Sequence, residues 1–214
     1  MDRKTNTVSG AFPKREKKKA ETRQKIVDAS IELFLERSHG LVTLEDVAER
    51  AGIHVQTLYR HFPNKASLML AGDELWVERF KNFIAQQDDH LDTFKIWREW
   101  LNFAYKEIVE NPTKYKALYQ RKIESDQAMI GWLRIQHHYE DLLTECLAQD
   151  FEMSDDGVTL PRLVAGMLMS GNASVIRRFT EGETDFMSEV NATIDLVEGQ
   201  FGHLVVEKRA PRTA

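Results

Sequence analysis

The chain has 214 residues, 42% of them hydrophobic, and a formal net charge of −5, which allows one or two globular domains with a sizeable core and excludes a disordered polyelectrolyte. The single cysteine, Cys146, excludes an internal disulfide and suits a reducing compartment, where the thiol acts as a small buried hydrophobe. There is no run of about 18 apolar residues and no apolar stretch behind the N-terminal lysines, so neither a membrane-spanning helix nor a secretory signal is expected, and the expected compartment is the cytoplasm.

The net charge conceals an asymmetry. Residues 1–67 carry 13 Lys and Arg against 9 Asp and Glu, and the remainder carries 16 against 25. A basic head on an acidic body suits a head that meets a polyanion, although a solvated charged tail has the same composition.

In chain order, residues 1–19 are poor in apolar side chains, contain Gly10 and Pro13, and hold the first part of the basic run KREKKKAETRQK. They read as a disordered basic arm. From Glu21 to Glu36, Ile26, Ala29, Leu33 and Phe34 recur at helical spacing. Ser38-His39-Gly40 closes that helix, with Gly40 free to take a positive φ. Thr43 opens the next helix as its N-cap, and Asp46 is placed to reach back in a variant of the capping box. Val47, Ala48 and Ala51 form its inner face. Gly52 sits where a tight turn needs a residue without Cβ. A short helix follows, from about Val55 to His61, with Leu58 and Phe62 inward. Pro63 stops it, and Asn64 caps a helix that begins near Lys65 and turns Leu68, Leu70 and Leu75 inward.

Five further helical patterns run over residues 91–110, 113–122, 125–149, 159–179 and 184–206. Breaks fall at Asn111-Pro112, Ser154-Asp155-Asp156-Gly157 and Glu181-Gly182. Without a hairpin signal the fold class is all-α. Residues 20–66 form a compact helix-turn-helix unit, 67–207 a larger helical bundle, and 208–214 a flexible tail.

A helix, a glycine turn and a short second helix make a helix-turn-helix, whose second helix enters the major groove of duplex DNA. Thr43 and Thr57 are short hydroxyl donors at helix starts, where backbone N–H groups also suit phosphate. His61 and Lys65 extend that phosphate set. Gln56 can read adenine and Val55 can pack on a thymine methyl. Tyr59 can reach phosphate from the same face or serve as a packing aromatic, and the Lys14–Lys19 run adds diffuse phosphate or minor-groove contacts. Leu58, Val47, Ile26 and Phe34 are core.

The spaced residues Ile26, Ala29, Leu33-Phe34, Gly40, Thr43, Asp46-Val47-Ala48, Ala51-Gly52-Ile53, Thr57-Leu58-Tyr59, His61-Phe62, Lys65 and Leu68 resemble the DNA-binding domain of the tetracycline-repressor (TetR) family. The resemblance covers about 50 residues, and the chain length and helical remainder agree with it. It implies a homodimeric transcription regulator, usually a repressor, whose larger C-terminal domain binds a small molecule and dimerises through its last two long helices. By position it assigns Val55, Gln56, Tyr59 and Arg60 to bases, and Thr43, Thr57, His61 and Lys65 to phosphates. Two residues depart from the family pattern. His54 stands where serine is frequent as the N-cap, and Gln56 where glycine is frequent, which favours a side-chain contact over close backbone approach.

The bundle domain is rich in aromatic and methionine residues, a stock that lines apolar pockets and also fills cores. Trp100, Phe103, Tyr119, Trp132 and Met167 are the apolar candidates to touch a mainly hydrophobic effector, acyl or aromatic. Arg121, His137 and Asn172 are the polar candidates to orient it. The segment PRLVAGMLMSGNASVI (161–176) is rich in small residues that allow close helix approach. Phe186, Val190, Ile194, Val197 and Phe201 form a helical stripe. The two helices suit a four-helix dimer interface or an ordinary core.

His137 and Asp141 lie four apart on a helix, but two ligands do not make a metal site. No G-x-S-x-G elbow, glycine-rich phosphate loop or HExxH sequence occurs, so neither catalysis nor a cofactor is expected. The partners expected are duplex DNA, a second copy of the chain and a hydrophobic small molecule. The readings kept open are a transcriptional activator and a ligand-binding helical protein with vestigial DNA binding.

Overall fold

The computed structural model describes residues 12–37, 41–87, 91–153, 159–182 and 185–206. Among the described residues the chain is helical throughout: α1 (Phe12–Glu36), α2 (Leu44–Arg50), α3 (Val55–His61), α4 (Lys65–Ala85), α5 (Thr93–Glu110), α6 (Pro112–Ile123), α7 (Asp126–Asp150), α8 (Thr159–Glu181) and α9 (Phe186–Phe201). A 3₁₀ turn, Gly202–Leu204, follows α9. None of the described helices is long and apolar enough to cross a membrane. Two compact units divide the chain, Met1–Met69 and Leu70–Ala214.

Two expectations need correction. The first helix was expected from Glu21, with a disordered arm over residues 1–19, but α1 begins at Phe12. Lysine and glutamate have good intrinsic helix propensity, so the run through Lys17, Lys18 and Lys19 continues the helix without any apolar stripe to announce it. Residues 1–11 lie outside the described residues, as do the expected stop at Ser38-His39-Gly40 and the tail 208–214. The last helix was expected to reach residue 206. It ends at Phe201, and the chain tightens through Gly202 into the 3₁₀ turn.

The first unit closes over Ile26, Leu33, Phe34, Val47, Leu58 and Phe62, each at most 3% exposed. Arg50 ties α2 to α1 by donating to Glu36 at 2.8 and 2.9 Å and to Glu32 at 3.2 Å. The hydrogen bonds from Arg50 hold the Glu36 carboxyl below its ordinary pKa.

In the second unit α8 packs against both α7 and α9. The core is unusually aromatic: Phe80, Phe94, Trp97 and Trp100 are all buried. Buried Asp150, at the C-terminal end of α7, accepts from the backbone N–H of Thr93 at 2.6 Å and from its hydroxyl at 2.5 Å. The same residue's backbone carbonyl accepts from the N–H of Val206 at 2.9 Å. One polar residue thus fastens the start of α5 and the end of the described chain to α7.

Candidate nucleic-acid interface

The geometry of the candidate surface starts with its caps. Thr43 accepts from the backbone N–H of Asp46 at 3.1 Å, and Asp46 accepts from the backbone N–H of Thr43 at 2.9 Å. This is the reciprocal capping box, with aspartate in the place of the usual glutamate. These bonds hold the Asp46 carboxyl below its ordinary range. The Thr43 backbone N–H is therefore committed, while its hydroxyl proton is free of the cap's requirement and can still be donated.

Gly52 has φ +65°, a conformation that favours glycine, and makes the turn between α2 and α3. The chain then folds back, with the N–H of Ile53 donating to the carbonyl of Ala48 at 3.0 Å. His54 caps α3: its Nδ1 accepts from the backbone N–H of Gln56 at 3.3 Å. An imidazole acceptor does here what a serine hydroxyl does more commonly.

With Leu58 and Phe62 buried, the helical period turns the other face of α3 outward. Gln56, Tyr59 and Arg60 are exposed, and Val55, Thr57 and His61 are half-buried at its edges. Three of the four expected base-contacting residues, Gln56, Tyr59 and Arg60, lie on this exposed rim, and Val55, Thr57 and His61 flank it. Lys65 opens α4, with its ammonium 5.9 Å from the centre of the Phe34 ring. Burial lowers its pKa and the Asp46 carboxylate opposes that shift.

Three residues join this surface beyond the predicted set: Arg23 and Glu45, which sequence reasoning missed, and Lys19, which it gave only as part of the diffuse basic run. Arg23 lies over the Phe62 ring at 4.8 Å. The charges of Arg23, Arg60 and Lys19 all bear on His61, whose pKa is lowered first by burial and then by these cations. Lys19 and Arg23 are four apart on α1, a spacing that marks one helix face, but without knowledge of what α1 packs on the sequence could not say which face. Glu45 is the third. It accepts from the Tyr59 hydroxyl at 3.1 Å, and nothing in the sequence pairs a first-turn acid of one helix with an aromatic on the next.

The residue spacing, the capped turn and the outward cationic face together make a helix-turn-helix with the surface chemistry that duplex DNA demands. Residues 26–71 match the family profile described as "Bacterial regulatory proteins, tetR family". This segment carries a TetR-family DNA-binding domain.

The chain's relatives are named transcriptional regulators rather than enzymes. The chain is 27% identical over 122 residues to IcaR of Staphylococcus epidermidis, a negative regulator of the biofilm operon icaADBC; the match spans 57% of this chain and 63% of that one. It is 22% identical to the repressor KstR of Rhodococcus jostii over 179 residues, 84% of each chain. Among solved structures, the SmeT–triclosan complex superposes with TM-score 0.65 at 20% identity, covering 91% of this chain and 99% of that one. SmeT is the repressor of the Stenotrophomonas maltophilia multidrug efflux pump SmeDEF. At that identity the likeness is one of fold.

Of the residues expected around an effector, the fold brings only some together. Trp100 is buried against Phe80 and Phe83. Asn172 is buried with its amide within 2.8–2.9 Å of the Tyr105 hydroxyl. Phe103 is 57% exposed and touches Trp76 and Trp100. Tyr119 meets Trp132 edge-on, beside the Lys122–Asp73 pair. Arg121 pairs with Glu124 at 3.5 Å. His137 and Met167 point to solvent. Among the described residues no three His, Cys, Asp or Glu side chains come together in an arrangement that could hold a metal ion.

Proposed function

We propose that this chain is a cytoplasmic TetR-family transcriptional repressor that binds a pseudo-palindromic operator as a homodimer and is released by a hydrophobic small molecule. The observation that carries the reading is the outward face of α3. Gln56, Tyr59 and Arg60 are exposed on a helix locked from behind by Leu58 and Phe62, at 0% and 2% exposure. Val55, Gln56, Tyr59 and Arg60 meet base edges, and Thr43, Thr57, His61 and Lys65 hold phosphates. Two such helices reach half-sites about 34 Å apart, one turn of the duplex.

Dimerisation is supported by a surface on the last two long helices. Leu163, Met167 and Ser170 on α8, and Ser188, Ala192, Leu196 and Gly199 on α9, are exposed at helical spacing. Leu196, at 77% exposure, adds with Leu163 and Met167 to an apolar surface that a second copy would cover. A ligand releases DNA by binding better to the conformation whose α3 spacing does not fit the operator. Moving the population from 1:99 to 99:1 needs a differential affinity of about 5.5 kcal/mol. Triclosan on SmeT and the repressor names of the relatives support the ligand and the sign of regulation.

The test is a gel shift on the DNA upstream of the chain's own gene at two salt concentrations. The expected result is a footprint of two symmetric half-sites whose affinity falls as salt rises. Binding without salt dependence, or without preference over random duplex, refutes the reading. Replacing both Arg60 and Lys65 by alanine separates it from a vestigial helix-turn-helix: DNA affinity collapses while small-molecule binding survives.

A further inference from the structure

The indole Nε1–H of Trp97 is fully buried and has no hydrogen-bond partner among the described residues. Buried indole N–H groups in folded proteins almost always find an acceptor, and an orphan calls for an explanation. Its surroundings are aromatic. Phe80 lies 5.4 Å from the Trp97 ring and Tyr139 lies 6.0 Å away, both edge-on. An N–H directed at a ring face is a weak substitute for an oxygen acceptor.

The neighbouring polar groups do not serve. Tyr105 and Asn172 satisfy each other. The rings in contact with Trp97 are Phe80 and Tyr139, and the Arg79 guanidinium stacks on Trp76 at 4.7 Å, on the outer, Trp100 side of the cluster. Burial pushes the Tyr139 phenol far up, and the Asp73 carboxylate pushes it further in the same direction. Burial is therefore what chiefly opposes a negative charge here, with Tyr105 and Asp73 acting in the same direction. The cluster also continues to the surface: Phe80 touches Trp100 at 5.1 Å, and Trp100 touches the exposed Phe103 at 5.8 Å. Rings in series connect solvent to the orphan donor.

We propose that the effector of this chain is an uncharged aromatic molecule carrying a hydrogen-bond acceptor, received past Phe103 and Trp100 with its acceptor on the Trp97 Nε1–H. The proposal rests on the reading that the second unit receives a small molecule, and it fixes that molecule's chemistry. Aromatic rings of the ligand replace ring–ring contacts already present. The acceptor satisfies the Trp97 donor, which has no partner among the described residues. A carboxylate carried past Arg79 to the Trp97 Nε1–H would leave that cation behind and be buried among rings, which costs several kcal/mol in a low-dielectric interior.

Three probes of nearly equal size separate these terms: 2-acetylnaphthalene, with a neutral acceptor; 2-ethylnaphthalene, without one; and 2-naphthoate, with a charge. Equilibrium dialysis against the full chain is expected to show 2-acetylnaphthalene bound about tenfold more tightly than 2-ethylnaphthalene, the usual weight of one hydrogen bond to a buried donor. The naphthoate binds weakest. Trp97→Phe keeps an aromatic ring but removes the donor, so the two neutral probes become equal.

The indole proton resonances of the wild type give a readout that needs no folded variant. One of the four tryptophan signals moves downfield with 2-acetylnaphthalene and not with 2-ethylnaphthalene. Four unmoved resonances, equal affinities in the wild type, tightest binding by the naphthoate, or a preference unchanged in Trp97→Phe each overturn the proposal. A gel shift on the same preparation keeps the outcomes apart. Salt-dependent operator binding with no probe preference sinks the effector assignment alone, and loss of operator binding sinks the regulator.

Discussion

The hydroxyl of Tyr59 donates to the Glu45 carboxylate across 3.1 Å, linking the exposed rim of α3 to the first turn of α2. The bond orients the ring and raises the pKa of the phenol. A raised folded-state value means that this contribution is present at neutral pH and is lost only when pH climbs through the alkaline range. The bond also places an acid on a surface proposed to meet phosphates. Glu45→Gln keeps an acceptor for Tyr59 and removes the charge. DNA affinity should rise about fivefold at low salt, the order expected of one unit charge a few ångström from a phosphate in water. The gain should shrink as ionic strength increases. Fluorescence anisotropy with labelled operator at two salt concentrations measures both. An unchanged or lower affinity for Glu45→Gln would place Glu45 away from the backbone.

His61 provides a second prediction, about pH. Its pKa is lowered by burial and by the cations Arg23, Arg60 and Lys19. The unfolded chain therefore binds the proton more readily than the folded one. His61 gives its full contribution to stability above the ordinary value of 6.5, and that contribution is lost as pH falls through the window below it. Phosphates reverse this logic, because they neutralise the cations that repel the proton. DNA binding should take up a proton at His61, so affinity should increase from pH 7.5 to pH 6, by less than about tenfold. His61→Gln should flatten that trend relative to the wild type. An identical pH dependence in the variant would assign the proton elsewhere.

On the proposed reading, specific readout depends on Gln56, which is exposed on the first turn of α3 and capped in place by His54. Gln56→Ala should weaken binding to the operator by about 1–3 kcal/mol and relax preference at one base pair per half-site. The salt slope should not change, because no phosphate contact is removed. By contrast, loss of a phosphate-holding lysine or arginine should lower the slope by roughly one unit per site. Competition among operator variants with single base changes reads the first effect, and a salt titration reads the second.

Much of this surface was legible in the sequence because local chemistry fixes it. Thr43, Asp46 and Gly52 specify a cap and a turn whatever surrounds them, and the burial of Leu58 and Phe62 follows from helical spacing. The structure bears out both the capping box and the all-α class. The contributions of Arg23 and Glu45 were not legible, because they depend on how α1 and α2 cross α3, and Lys19 was legible only as part of a diffuse basic run. The bundle was harder for the same reason. Periodicity located Trp100 and Asn172 on helices, but it could not tell them from Phe103, His137 or Met167, which the fold leaves exposed. Trp97 was identifiable as an aromatic. That its N–H lacks a partner is a fact of packing.

Asp150 supports a prediction on stability. Its carboxylate receives both the backbone N–H and the hydroxyl of Thr93 in a buried setting. Asp150→Ala strands the Thr93 N–H at the first turn of α5. The loss should be about 1–3 kcal/mol, the cost of leaving a buried donor unsatisfied. Asp150→Asn, which keeps an acceptor, should lose less. Urea unfolding followed by tryptophan fluorescence reports this unit, because all four tryptophans, Trp76, Trp97, Trp100 and Trp132, lie in the second unit. Equal losses in the two variants would mean that the charge, rather than the acceptor, is what Thr93 requires.

Gly171 supplies the last test, of the packing between α8 and α9. A Cβ built on Gly171 collides with the Cγ2 methyl of Thr193. The methyl cannot simply rotate away, because the Thr193 hydroxyl donates to the carbonyl of Glu189 at 2.7 Å and holds the rotamer. Gly171→Ala should therefore destabilise the second unit by about 1–3 kcal/mol, the usual range for overpacking a closed contact. Thr193→Ser removes the methyl and keeps the hydroxyl bond, so it should be nearly neutral alone and should rescue most of the loss in the double variant. That non-additivity distinguishes a specific collision from a general intolerance of side chains on this face. Additive losses in urea unfolding would show that α8 and α9 yield at this point, and that the small residue at position 171 answers some other demand.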